Sequence, residues 1–145
     1  MPMSNHANLV YHFLVQRVPE KMVVTYGEVS EATGVPLGVA GGAVAKSLYE
    51  IFRECDDRML PPISAIVVQG DNLYDKFRRH GMPGGGYLCA EAESKNAANR
   101  KRDGGWERWK NTPRPADTET WTMLKMIEAH QDMVWDYNQE WPAML

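Results

Sequence analysis

Apolar side chains recur in pairs along the first part of the chain. Leu9 with Val10, Phe13 with Leu14, and then Val18 follow the three-and-four spacing of one helical face, after Ser4 and Asn5 and before Pro19. This predicts a first helix. Thr25 and Glu28 have the S/T-x-x-E spacing in which a hydroxyl and a carboxylate each satisfy a backbone N–H left free by a first helical turn. Gly34 is placed to end the helix they open, so a second helix is predicted from about Tyr26 to Thr33. After the Val35-Pro36 turn, Val44, Leu48, Ile51, Phe52 and Cys55 form a stripe that covers one face of a longer third helix, from about Val39 to Met59.

Pro61-Pro62 blocks continuation of that helix, and Ile63 to Val68 reads as a short buried strand of mostly β-branched residues. One or two further strands are expected. Asp71 to Gly86 has the turn residues of a hairpin or loop, with Gly81, Pro83 and Gly84 to Gly86 supplying conformations that other residues resist. Residues 91–117 are polar and broken by Gly104-Gly105, Pro113 and Pro115, whereas Met123, Ile127, His130, Val134, Tyr137 and Trp141 alternate steps of four and three on a final helix.

The pattern implies one α+β domain. A length of 145 residues with 43% hydrophobic and 24% charged side chains supports one core and argues against disorder or a repetitive rod. The expected organisation is a winged-helix-like domain at 1–90, a basic tryptophan-containing loop at 91–117, and a C-terminal helix at 118–145 packed on the same domain. No apolar run approaches the roughly 18 residues that span a bilayer, and the first residues lack the pattern of a signal peptide, so a cytoplasmic protein with no membrane partner is expected. Cys55 and Cys89 stand apart without a CxxC partner, which fits reduced thiols. The four histidines form no metal-ligand spacing and no phosphate-binding loop is present, so neither a metal nor another cofactor is implied.

A formal net charge of −3 argues against bulk attraction to nucleic acid, but its distribution is uneven. Residues 1–94 are net −3, residues 95–115 net +5 and residues 116–145 net −5. The basic and acidic segments either neutralise each other or face different partners.

Two helices joined by a tight Gly-Val-Pro turn, then a strand and a glycine-containing hairpin, have the order of a helix-turn-helix with a wing. Gly38, Ala40, Gly41, Gly42 and Ala43 would put almost no side-chain volume on the first turns of helix three, at about 1 kcal/mol per glycine relative to alanine. Either another helix packs closely there, or free amides at a positive dipole end meet a phosphate.

The segment Val24-Thr25-Tyr26-Gly27-Glu28-Val29, followed by Gly34-Val35-Pro36 and Ala40-Gly41-Gly42-Ala43-Val44, resembles the DNA-binding domain of O6-alkylguanine-DNA alkyltransferases and alkyltransferase-like proteins. The similarity extends over about residues 5–88 and is strongest over about 23–48. In that family the helix-turn-helix enters the minor groove, a tyrosine helps rotate a nucleotide out of the stack, and an arginine fills the vacated space. The resemblance makes Tyr26 the rotating tyrosine and places Gly38 where the arginine would stand. It also implies a methyl-accepting cysteine in a PCHR motif, which this chain lacks: Leu60 to Val68 runs on into Gln69-Gly70 with neither cysteine nor histidine. Counting from the double glycine brings Cys55 near the acceptor's place, but on a buried face before Asp56-Asp57, which would raise its pKa and disfavour the thiolate.

The candidate DNA contacts are therefore Thr25, Tyr26, Gly38, Gly41, Gly42 and Lys46 in the helical pair, Lys76, Arg78 and Arg79 before the glycine loop, and Arg100, Lys101, Arg102 and Trp106 in the basic segment, where charge and ring stacking could grip a strand. That segment could equally be a loop pinned to the body by its tryptophans. Trp121, Trp135 and Trp141, with Met123, Met126 and Met133, offer a surface for a protein partner or a second copy, or pack against helix one. A non-enzymatic DNA-binding protein is the first expectation, a protein-interaction module used as regulator or adaptor the second, and an alkyltransferase dependent on Cys55 the third.

Overall fold

Ser4 starts the first helix by turning its hydroxyl to the Ala7 amide at 3.2 Å, and α1 runs from Asn5 to Arg17. The computed structural model describes residues 3–38, 42–70, 76–94 and 118–143, with the backbone alone for 85, 88, 92 and 118–123. A 3-10 turn at Val18–Glu20 closes α1, with Pro19 at a position where its missing N–H costs no helical bond. The chain then forms β1 (Val24–Thr25) and α2 (Tyr26–Thr33). The capping box is formed: Thr25 Oγ1 accepts from the Glu28 amide at 3.1 Å, and Glu28 Oε1 accepts from the Thr25 amide at 2.9 Å. Gly34 ends α2 in the left-handed region at φ +76°.

Helix α3 covers Ala43–Asp57, a later start than the hydrophobic stripe predicts. Gly38 sits at φ +65°, a left-handed conformation no right-handed helix can contain, and Gly42 is extended as the N-cap. Gly38 and Gly42 thus precede the helix, Ala43 is its first residue, and the connection between α2 and α3 is the segment 34–42, longer than a tight turn. The stripe itself is as expected, with Val44, Leu48, Ile51, Phe52 and Cys55 all buried.

The expected strand at Ile63 to Val68 is mostly a 3-10 turn. Ile63–Ile66 coils tightly, with the Ala65 amide donating to the Pro62 carbonyl at 2.9 Å, and only β2 (Val67–Val68) pairs. Its partner is β1, in parallel, with Val24 opposite Val67 and Thr25 opposite Val68. The apolar run correctly marks buried chain, but periodicity does not distinguish a strand from another buried conformation, and here local bonds satisfy amides that no neighbouring strand can reach.

Of the expected hairpin or loop, the described part is a loop. Residues 71–75 lie outside the described residues, 76–84 contain no strand, and the glycines open a helix, α4 (Gly85–Ala92), with extended Gly84 as its N-cap. The last helix, α5, is Thr118–Asp136. Tyr137 and Trp141 lie beyond it, where their rings meet at 4.7 Å as the chain folds back and Tyr11 donates its hydroxyl to the Pro142 carbonyl at 2.6 Å.

The result is a helix-rich α+β fold with one two-stranded parallel sheet. Its main core joins α1, α2, α3, the sheet and α5 through Tyr11, Leu14, Val29, Ile51, Ile66 and Val134, while Phe52, Ala65, Tyr87 and Ala90 form a second cluster between α3 and α4. Among the described residues no helix is long and apolar enough to cross a membrane.

Gln131 of α5 is fully buried, and its amide bonds three backbone groups. Nε2 donates to the carbonyls of Ala65 and Gly81, each at 2.8 Å, and Oε1 accepts from the Gly81 amide at 3.2 Å. Replacing Gln131→Leu leaves those groups dry and unpaired, so urea unfolding should show a loss of about 2–5 kcal/mol.

Burial drives the Tyr11 phenol from its ordinary value of 10 up to about 12, and drives the Cys55 thiol from 9 up to about 12. Both groups fold in the protonated form, so their contribution to stability is intact below pH 9 and is lost as pH rises toward 12, where the unfolded chain ionises first. Stability measured by urea unfolding should therefore fall through that window, and Tyr11→Phe should flatten the fall while costing about 1 kcal/mol at neutral pH for the lost bond to Pro142.

Candidate functional site

Gly38 before α3 and Gly84 and Gly86 at the opening of α4 face one cavity of about 370 Å³. Tyr26, Tyr49, Phe52 and Tyr87 supply four aromatic rings to its wall, Leu37 and Leu48 add apolar surface, and Gly38, Ala45, Gly84, Gly86 and Ala90 leave the space open. This is the lower end of the size range of small-ligand sites.

Two of the rings are held by hydrogen bonds to other elements. Tyr26, the first residue of α2, accepts from the Gly84 amide at 2.8 Å, which ties the start of α2 to the N-cap of α4. Burial raises its phenol above the ordinary tyrosine value, and the Gly84 N–H opposes that shift. Tyr87 packs edge-on against Phe52 with centroids 5.4 Å apart, and its hydroxyl shares a hydrogen bond of 2.7 Å with Nδ1 of His130 on α5. Behind His130, Glu91 Oε1 lies 3.7 Å from Nε2, both side chains being buried.

Two polar residues border the cavity from the segment after Pro62. Gln69 stands at the exposed rim, whereas Ser64 is 3% exposed and its Oγ, out of contact with solvent, has no hydrogen-bond partner among the described residues. A second, open groove on the other side of α3 is lined by Ser4, His6, Ala43, Ala45, Lys46, Ser47, Tyr49 and Glu50, with Lys46 exposed. The first turn of α3 thus borders both spaces, and one of its amides is already used: Val44 N donates to the Pro36 carbonyl at 3.2 Å.

The structure brings only part of the sequence-derived set together. Tyr26 and Gly38 line the cavity, Gly42 caps α3, and Thr25 uses its hydroxyl in the capping box. Arg78 is paired with Glu28 of α2, and that guanidinium holds the Glu28 carboxyl below its usual range, so the expected phosphate contact is engaged inside the protein. Lys76 is exposed with Nζ 5.5 Å from the Phe77 ring centre, and Arg79 is exposed while its carbonyl accepts from Trp135 at 2.9 Å. Gly41, Arg100, Lys101, Arg102, Trp106 and the Trp121 side chain lie outside the described residues.

Of the expected partner surface, Trp135 is 4% exposed and holds the 79–81 segment, because its large apolar ring packs in the main core. Trp141 is half-buried against the same core, off the helix expected to carry it. Cys55 is buried beside α1 and its thiol is pushed up to about 12 by loss of solvent, so the thiolate an alkyl acceptor needs is suppressed. No three potential metal ligands converge among the described residues.

Sequence reasoning missed Tyr49, Ser64 and Tyr87. Tyr87 follows directly on Gly84 to Gly86, and that run of absent side chains was the available signal of a close approach. Comparison with known proteins finds no matching family model, no matching curated protein and no matching solved structure.

A Cβ on Gly84 would stand 2.7 Å from Tyr26 Oη and 3.3 Å from Cζ. Gly84→Ala should therefore destabilise the fold by about 1–3 kcal/mol. In a Tyr26→Phe background the closest contact is gone, and the same substitution should cost measurably less in a double-mutant cycle by urea unfolding. Additive effects would show that the two residues do not meet.

Proposed function

We propose that this chain is a non-enzymatic DNA-binding protein with a winged-helix-like core, in which α2 and α3 form the helix-turn-helix and the cavity beside them takes one unstacked base. The observation that carries the reading is the cavity walled by four aromatic rings, which Ala45 in the first turn of α3 helps to line. Small residues let a sugar-phosphate backbone approach there, and Tyr26 stands at the border of helix pair and cavity.

The energies are consistent with binding driven from outside the cavity. Extruding a base costs a few kcal/mol, and stacking one base on protein rings returns about 1–3 kcal/mol. The surplus must come from phosphate contacts, for which Lys46, Lys76 and Arg79 are exposed and to which the sequence adds the basic segment that includes Arg100, Lys101, Arg102 and Trp106. Alkyl transfer is not part of the proposal, because the only cysteine near the family's acceptor position is Cys55, whose thiol is buried and protonated.

A fluorescence titration with labelled short duplexes at low and moderate salt tests this. Affinity should fall as salt rises, with a slope of about −0.9 per phosphate contact. A duplex with one unpaired base should bind more tightly than its fully paired counterpart, since extrusion then costs less. Tyr49→Ala should weaken binding to the unpaired-base duplex about tenfold, the equivalent of one lost stacking contact of about 1.4 kcal/mol. Absence of binding at low salt removes the proposal.

A further inference from the structure

We infer that Gly86 is where the cavity admits a ring that stays attached to its chain: the sugar-phosphate link of a base held inside crosses the rim over the first turn of α4. The inference rests on the proposed function, which puts a base of DNA in the cavity, and goes beyond it by naming the residue that lets the link pass.

Exposure divides the lining of the cavity. Leu37, Gly38, Tyr49, Gln69 and Gly86 are exposed and form its rim, whereas Phe52, Tyr87 and Ala90 are buried and lie deeper. Gly38, Gly84 and Gly86 all border the cavity, and the fold accounts for the first two being glycine. Gly38 has φ +65°, where any other side chain is strained. Gly84 has no room for one, since a Cβ there would stand 2.7 Å from Tyr26 Oη. Gly86 has neither reason: it lies within α4 without a positive φ, and a Cβ on it would meet nothing within 4 Å.

Alanine at 86 would fit that space and favour the helix, because glycine gives up more backbone freedom on folding. What the glycine keeps is room at the rim. A free ring needs that room only while it enters, but a ring that remains part of a chain leaves its attachment lying across the rim for as long as it is bound. Glycine is the residue that lets a ligand approach the protein backbone most closely. The sugar-phosphate link of an extruded base is such an attachment, and it is drawn toward the rim because the rings of Phe52 and Tyr87, available for stacking, lie deeper than Gly86.

The test uses the full chain and its Gly86→Ala and Gly86→Leu variants. Thermal melting comes first: Gly86→Ala should melt at or above the parent's temperature, and a clear drop would show that the fold itself needs this glycine and overturn the inference. Labelled duplexes, fully paired or carrying one unpaired 2-aminopurine, and free 2-aminopurine are then titrated at low salt by fluorescence. The parent should prefer the duplex with the unpaired base. Gly86→Ala should reduce that preference about tenfold, and Gly86→Leu further, by weakening the unpaired-base duplex alone. Free 2-aminopurine has no chain to cross the rim, so it should bind the parent and Gly86→Ala alike; a loss as large as the duplex's would show a blocked cavity and overturn the inference. A parent preference that survives both substitutions overturns the inference and leaves the DNA reading standing, whereas a parent without the preference removes both.

Discussion

A single buried amide ties together the parts of this protein that no regular element joins. Gln131 stands on α5, yet its three bonds are to the backbone at Ala65 and Gly81, one in the 3-10 turn after Pro62 and the other in the segment leading to α4. An amide matches this place because its acceptor and two donors meet one N–H and two carbonyls that would otherwise be dry. Trp135, one turn on, adds a bond to the Arg79 carbonyl, and Asp132 meets His80 at 2.7 Å. The last helix thus fixes the 79–81 segment, three residues before Gly84 becomes the support for Tyr26.

The cavity follows from that constraint. Ala65 is neighbour to Ser64, and Gly81 leads to Gly84, so the bonds of Gln131 set the floor and one rim together. The opposite rim comes from α2 and α3, whose start positions are controlled by Thr25 and by glycines in conformations unavailable within a helix. Aromatic rings can then line an open space because every phenol except that of Tyr49 is held by a group from α4 or α5 on the far side, and Tyr49 reaches Glu93 just past α4 at 3.0 Å. Rigid walls of this sort lower the ordering cost of binding a flat ligand.

The electrostatics redirect the functional reading. Glu28 serves the capping box with one oxygen and also holds Arg78, so a residue that looks like a wing cation becomes a brace between the 76–84 segment and α2. Cys55 likewise belongs to the core beneath α1, where its chemistry is silenced by the same burial that makes it useful for packing.

Local rules in the sequence determined the first two helices, with their boundaries at Ser4, Thr25 and Gly34, and determined which face of α3 is buried. Those features depend on side chains and amides within a few residues of each other, where spacing alone decides whether a bond can close. The conformation of Ile63 to Val68, the helix opened by Gly84 to Gly86 and the inward turn of Trp135 were decided by tertiary structure, since each depends on whether a distant group is present to accept or donate.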